Sequence, residues 1–314
     1  MRFRENRGVH RPPYRDLPGG AADGVFGAGD ELGCLNLLTR ERVAAAAALI
    51  REGRVFSLNA DVGAWPNPSP ASSPRTPPVH RVFELVPGLA YDDVLDGFYL
   101  QGSTQWDGFL HVVDARTGTS YNGSRTGDDG VGAWARRGIV GRSVLLDLPR
   151  WASAQGRSWD WRAPIGVGAR DLAACAAWQG VEVLEGTILL LRVGWEEGYS
   201  ALSVEERASF AAEEAVNPGL EPAPEVAELL WDWGVAAVAC DNPALEVRPP
   251  RADVRDSLHT LLLARLGIPI GEYFLLDQLA SWCAAARRYE QFFTAAPLHL
   301  VGAIGSPANA IAVV

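Results

Sequence analysis

The chain has 314 residues, 48% of them hydrophobic, so it can bury a sizeable core. Its formal charge is −10 and all 28 basic residues are arginines scattered along the sequence, which disfavours nucleic acid as a partner. No apolar run reaches the length of a membrane span and the N-terminus has no apolar signal region, so we expect a cytoplasmic protein that does not act in a membrane.

The N-terminal part of the chain predicts irregular structure followed by one helix and one strand. Residues 1–33 are rich in glycine, proline and charge, which is typical of an arm or an irregular lid. A helix should begin after Thr39, a good N-cap residue, and continue to a stop at Gly53. The sequence VFSLNADV then predicts a strand.

Residues 65–80 contain six prolines, which forbid regular structure over most of this segment. A solvated linker is one interpretation. The other is a flap that presents Trp65 and His80 to a pocket, because long ordered loops in compact domains are often functional.

The rest of the sequence alternates between strand and helix patterns. RVFELVPGLAYDDVLDGFYL predicts strands around a turn, while SVLLDLPRW, VLEGTILLLRVGW and AVACDNPALEV contain apolar runs of strand length. DLAACAAWQG and DSLHTLLLARLG predict helices between or after them. This alternation predicts an α/β fold, and residues 1–314 show no compositional break, so we expect a single domain. The four widely spaced cysteines indicate reduced core residues.

Two polar clusters could carry chemistry. The stretch QGSTQWDGFLH supplies Gln101, Gln105, Asp107 and His111 beside glycines that can turn a strand end toward a cavity, although these residues are also ordinary turn formers. Further along, HTLLLARLGIPIGEYF supplies a histidine and a glutamate in an apolar setting, where a buried carboxylate would need a partner. Sequences typical of serine hydrolases (GxSxG), P-loop proteins (GxxxxGK[ST]) and zincins (HExxH) are absent.

QGSTQWDGFLH resembles the HxGTHxDxPxH motif of the cyclase family of metal-dependent hydrolases. DELGCLNLL, GRSVLLDLP, LLLRVGW, AVACDNPALEV, LHTLLLARLGIPIGE and VGAIGSPANAIAVV also resemble blocks of the longer branch of that family, so the likeness spans nearly the whole chain. It implies a swivelling β/β/α fold, with a mixed sheet or barrel core wrapped by helices. It further implies a homo-oligomer, a dimer or tetramer, in which neighbouring segments complete the pocket.

The resemblance also implies a metal site. The first two histidines of the motif fall on Gln101 and Gln105, its metal-binding aspartate on Asp107 and its last histidine on His111. The later histidine and glutamate of the family fall on His259 and Glu272. The expected ligands are therefore Gln101, Gln105, Asp107, His259 and Glu272, and the expected catalytic residues are His111, His259 and Glu272.

The loss of two histidines changes the expected ion. Amide and carboxylate oxygens favour manganese, magnesium or calcium over zinc. Manganese and zinc stay the candidate ions, and a metal-free site is the alternative. Trp65, Trp106, Tyr121 and Asn122 are the candidate substrate-binding residues, since they flank the motif or its loops.

Three functions remain open from the sequence. The first is metal-dependent hydrolysis of an amide (C–N) or lactone bond in a small cyclic or aromatic compound. The second is a cyclisation or dehydration by acid/base catalysis in the biosynthesis of small molecules, with or without metal. The third is a relative that binds a ligand without catalysis.

Overall fold

A computed structural model describes residues 11–67, 73–128 and 130–314. Residues 1–10 of the predicted arm and residues 68–72 of the proline-rich loop therefore lie outside the described part of the chain. Within it, nine strands form one curled, mixed sheet, and helices cover that sheet. The predicted mixed α/β architecture is confirmed.

The strands of the large sheet run in the spatial order β1-β13-β11-β5-β7-β9-β10-β4-β12. Their bounds are β1 Val55–Ser57, β4 Gln105–Asp107, β5 Ile139–Asp147, β7 Ile188–Arg192, β9 Ala237–Cys240, β10 Ile270–Glu272, β11 Glu290–Ala295, β12 Gly305–Pro307 and β13 Ala310–Val313. Two smaller pairs stand apart from it, namely β2 Val79–Val86 with β3 Ala90–Asp96, and β6 Gly166–Val167 with β8 Gly219–Leu220.

The α-helices of the described residues are α1 Arg40–Ala47, α2 Val131–Arg137, α3 Leu148–Ala154, α4 Ala169–Gln179, α5 Trp195–Ser200, α6 Val204–Ala211, α7 Pro224–Asp232 and α8 Asp277–Ala286. A π-helical segment spans Thr260–Leu266. None of these helices combines the length and the apolar character that crossing a bilayer requires.

The centre of the sheet is parallel and buried on both faces. Strands β5, β7, β9 and β10 pair in parallel, and every residue of β7 and β9 is buried. This explains why their sequences are continuous apolar runs, because a parallel sheet covered on both faces has no polar side. The four free cysteines are buried in this core, as the sequence predicted.

Helix α1 begins where the sequence predicted but ends early. Thr39 caps it by accepting a hydrogen bond from the backbone of Arg42 at 3.3 Å. The helix stops at Ala47 instead of reaching Gly53 because Ala46 is the only residue of the helix that is buried, so no apolar face holds the following residues against the core.

The described part of the N-terminal arm packs against helix α7 of the same chain, as two contacts show. Arg11 places its guanidinium over the ring of Trp231, 4.9 Å from the centroid, and the backbone of Tyr14 donates to Asp232 at 2.8 Å. By contrast, the β2–β3 hairpin extends into solvent, and every residue of β2 is exposed.

Candidate active site

The pairing of β4 with β10 brings the two polar clusters together. The strands are antiparallel, with Gln105 opposite Glu272 and Asp107 opposite Ile270. Because side chains alternate along a strand, Gln105 and Asp107 lie on the same face of the sheet as Glu272, the strand partner of Gln105. The Gln105 Nε2 donates to the Glu272 carboxylate at 2.7 Å.

The residues between these polar side chains pack on the opposite face. Trp106 is fully buried against Phe274 and Phe293, with ring centroids 5.2 Å and 6.3 Å away. Its strand partner is Gly271, where a Cβ atom would lie 3.0 Å from the Trp106 ring and 2.7 Å from the Cβ of Ala239. Because Gly271 has no side chain, the Trp106 ring can pack directly over it.

A sharp turn after β4 returns His111 to the same site. Gly108 begins a 3₁₀ turn over Phe109–His111, and a Cβ atom on it would lie 2.7 Å from the backbone oxygen of Ile304. The Gln101 Nε2 lies between the carboxylate of Asp107, at 2.7 Å, and the Nδ1 of His111, at 2.9 Å.

His259 approaches from the other side, at the start of the π-helical segment. Its Nδ1 lies 2.7 Å from the carboxylate of Glu246, and its Nε2 lies 3.2 Å from Glu272 and 3.8 Å from Asp107. Glu246 also accepts a hydrogen bond from the backbone N–H of His259 at 3.0 Å. Both ring nitrogens of His259 and its backbone N–H are thus bound to carboxylates.

Asp107, His111 and His259 form a group of the kind that binds a metal ion. One donor atom of each lies within 4.8 Å of the others. The Oε1 atom of Gln105 is buried and has no hydrogen-bond partner among the described residues, so an acceptor oxygen is left available beside this group. A carboxylate, two imidazoles and an orphaned amide oxygen suit a borderline divalent cation.

The buried ionisable groups of the site shift one another's pKa values. Burial and the charge on Asp107 raise the pKa of Glu272 to about 7. Burial opposes protonation of His259, but the hydrogen bonds that Glu246 and Glu272 accept from its ring outweigh this effect and hold the pKa of His259 well above its usual value. Asp107 acts to raise the pKa of His111, yet burial and the charges of His259 and Arg75 outweigh it, so the pKa of His111 is lowered.

These side chains line a cavity of about 230 Å³. Gln105, Asp107, His111, His259 and Glu272 all contribute to its wall. Of the predicted site residues, Gln101 instead lines a neighbouring cavity of about 520 Å³, together with Trp65.

Three candidate substrate-binding residues do not line either cavity. Trp106 is enclosed in the core, as described above. Tyr121 is fully buried against Phe109, with ring centroids 4.7 Å apart, and its hydroxyl donates to Asp30. Asn122 binds the arm through Asp23 and the backbone of Gly27. Tyr121 and Asn122 therefore contact the N-terminal arm, and a role of these three residues in substrate binding stays a prediction.

The proline-rich loop places Trp65 at a cavity and His80 away from it. Trp65 lines the larger cavity and stacks on Tyr273, with ring centroids 5.9 Å apart and planes 13° apart. His80 lies on the exposed strand β2 and pairs with Asp93 at 2.8 Å, so it does not reach the site.

Three functional candidates were missed in the sequence. Glu246 orients His259, and Arg75 and Arg248 line the smaller cavity. Glu246 lies in the apolar stretch PALEV after β9, and a carboxylate there needs a buried partner, which was the available signal. The two arginines lie in proline-rich segments that carried no signal of their own.

Comparison with known proteins identifies relatives of this chain. Residues 43–247 match the model of a protein family described as "Putative cyclase". A crystal structure described as that of a novel cyclase is 32% identical, covers 94% of this chain and 99% of its own, and has a TM-score of 0.77. The comparison with curated proteins gave no match.

More distant structures share the fold. An isatin hydrolase bound to the product analogue thioisatinate is 16% identical, with a TM-score of 0.60, covering 84% of this chain and 93% of its own. A predicted metal-dependent hydrolase from Bacillus stearothermophilus is 17% identical, with a TM-score of 0.51, covering 83% and 98% of the two chains.

Proposed function

The chain belongs to the cyclase family, and from that membership we propose that it is a metal-dependent hydrolase that cleaves an amide (C–N) or lactone bond in a small cyclic or aromatic compound. The observation that carries the proposal is the convergence of Asp107, His111 and His259, whose donor atoms lie within 4.8 Å of one another at a cavity. The names of the isatin hydrolase and of the metal-dependent hydrolase of the same fold support it.

Asp107, His111 and His259 would hold the ion, with the Oε1 of Gln105 as a further oxygen donor. Manganese and zinc are the candidate ions, because both accept mixed nitrogen and oxygen ligands. When bound, the ion supplies Lewis acidity and lowers the pKa of a water molecule. Gln101 fixes the Asp107 carboxylate and the His111 ring by hydrogen bonds to both.

Glu272 is the acid/base group of this proposal. It is buried, lies at the cavity wall and is hydrogen-bonded to His259 and to Gln105. It can therefore receive a proton from the attacking water molecule and pass it to the leaving group of the substrate over a short distance. Glu246 orients the His259 ring through Nδ1, as carboxylates beside ligating histidines do.

Metal binding tests the proposal. Purified protein is titrated with Mn²⁺ and with Zn²⁺ in a calorimeter, and its metal content is measured by mass spectrometry. Asp107→Asn should lower the affinity at least about 100-fold and Glu246→Gln about 10- to 100-fold, since loss of an outer partner has the smaller effect. Asp96→Asn, on the exposed hairpin, is the matched control and should leave binding unchanged.

Failure has a defined meaning here. Wild-type protein that neither carries nor gains a divalent ion rules out the metal-dependent hydrolase. Acid/base catalysis of a cyclisation or dehydration then remains, and loss of turnover in Glu272→Gln separates that function from a non-catalytic binding protein.

We also propose that the protein self-associates through the β2–β3 hairpin. Val82, Phe83 and Leu89 expose 62%, 45% and 83% of their surface, and a two-stranded hairpin is at best marginally stable alone in water. The face that carries Phe83 also carries Val79 and Val94, and its Arg81 and Asp96 are paired with each other, so it offers apolar side chains and a neutral ion pair to an identical face. A second copy of the chain is therefore the partner that matches this face of the hairpin.

A further inference from the structure

Arg75 lies at the junction of the two neighbouring cavities. The cavity of about 230 Å³ contains the metal-binding group, and the cavity of about 520 Å³ lies beside it. Arg75, Asn67 and Ser73 line both of them, so the two spaces share a wall. The Nη1 of Arg75 donates to the backbone oxygen of Gln101 at 2.7 Å, which fixes the guanidinium beside the site.

The guanidinium keeps most of its binding capacity. An arginine has five N–H donors in a planar fork, and the bond to Gln101 is the one that the described residues accept from it. Within the described ranges no carboxylate lies at ion-pairing distance from Arg75, whereas Arg81 and Arg116 each pair with an aspartate. A half-buried, planar cation of this kind matches a carboxylate ligand.

The larger cavity offers a surface for a flat ring. Trp65 stacks on Tyr273 along its wall, and Phe98 and Tyr99 add two further aromatic side chains. The indole Nε1 of Trp65 is buried without a hydrogen-bond partner among the described residues. Rigid aromatic and proline walls favour a planar ligand over a flexible chain.

Charge separates the two ends of this joined space. Asp107, Glu246 and Glu272 place three carboxyl groups around the metal-binding end. Arg248 also lines that end, but it pairs with Glu214 at 3.6 Å, whereas Arg75 pairs with no carboxylate of the described residues, so a negatively charged ligand group is attracted to Arg75. The ring and its anion therefore belong in the larger cavity, with the neutral reacting bond directed to the acidic end.

We propose that Arg75 is the anion-binding residue of a substrate subsite, and that the larger cavity binds a planar ring compound that carries a carboxylate. The inference rests on the proposed function only for the direction of the reacting bond. Binding in the larger cavity stands or falls independently of hydrolysis.

The test compares 1-naphthoate with its neutral amide, 1-naphthamide, by calorimetry on the full-length protein. Both probes are measured on the protein as purified and again with chelator present, so that coordination to a metal ion cannot produce the preference. Wild type should bind the carboxylate at least about tenfold more tightly than the amide in both conditions, because one charged hydrogen-bonded pair is worth that factor. Arg75→Gln should abolish the preference while leaving binding of the amide unchanged.

Further variants separate charge from shape. Arg75→Lys should restore part of the preference, and Trp65→Leu should weaken both probes equally. Arg81→Gln, on the neighbouring hairpin, is the matched control and should bind like wild type. Equal affinity for the two probes in wild type, or a preference that survives Arg75→Gln, overturns the inference. Metal binding that stays intact in the same samples leaves the proposed function standing.

Discussion

The β2–β3 hairpin and the β4–β10 pair are both antiparallel, but one is exposed to solvent and the other is buried. Every residue of β2 is exposed, whereas Gln105, Trp106 and Asp107 are at most 1% exposed. In the described part of the chain the hairpin pairs with no further strand, while β4 and β10 lie inside a nine-stranded sheet. Polar groups at the site are therefore positioned by the sheet, whereas the apolar side chains of the hairpin have no such support among the described residues.

The largest loss of stability is expected from a substitution in the buried core. Leu190→Ala in β7 removes a fully buried side chain, so the free energy of unfolding should fall by about 2–5 kcal/mol. Leu89→Ala, the same change at an 83% exposed turn of the hairpin, should change it by less than about 0.5 kcal/mol. Urea unfolding of dilute protein measures both. Equal losses would contradict the assignment of the hairpin to a region that does not stabilise the monomer.

The hairpin should matter for assembly. Phe83→Asp places a charge among exposed apolar side chains, so the dissociation constant of the oligomer should rise by about tenfold or more. Light scattering coupled to gel filtration measures the mass over a range of concentrations. Val204→Asp, at another exposed apolar residue, is the control and should keep the wild-type mass. A monomeric wild type would refute the proposed self-association.

A smaller effect concerns a buried carboxyl group away from the hairpin. Burial raises the pKa of Glu196 to about 7 from its usual 4.5, although its carboxylate accepts backbone hydrogen bonds from Leu276 and Asp277. The folded state therefore binds the proton more tightly than the unfolded state. This contribution to stability is complete below pH 4.5 and is lost as the pH rises toward 7, at about 1 kcal/mol per pH unit.

Glu196→Gln should flatten the pH dependence in that window, because the amide cannot be ionised. Unfolding is followed by urea titration at several pH values between 4.5 and 7.5. Glu84→Gln, on the exposed hairpin, should retain the wild-type slope. An unchanged slope in Glu196→Gln would show that other groups carry the pH dependence.

The architecture could be predicted because its signal is local. Continuous apolar runs in β5, β7 and β9 are typical of strands buried on both faces, and the structure has them there. The site is different, since Asp107 and Glu272 meet only through the pairing of β4 with β10. Their proximity was expected from a family resemblance, and no pattern within either segment contains it.

The direction of the Trp106 side chain could have been predicted from strand geometry alone. Gln105 and Asp107 were both assigned to the site, and side chains alternate along a strand, so the residue between them has to face the other way. Glu246 could not be placed in this manner. Its neighbours resemble many strand ends, and only the tertiary fold brings its carboxylate to the Nδ1 of His259.

The winding of the helix after His259 sets the direction of that imidazole. Thr260–Leu266 is π-helical and ends at Gly267, which has a positive φ of 64°. A π-helical turn holds one residue more than an α-helical turn, and each residue of an α-helix advances by about 100°. The same residues wound as a regular α-helix would turn His259 away from Glu272, because each residue rotates through a larger angle in an α-helix than in a π-helix. The form of this helix that directs His259 to Glu272 is therefore not its most regular form.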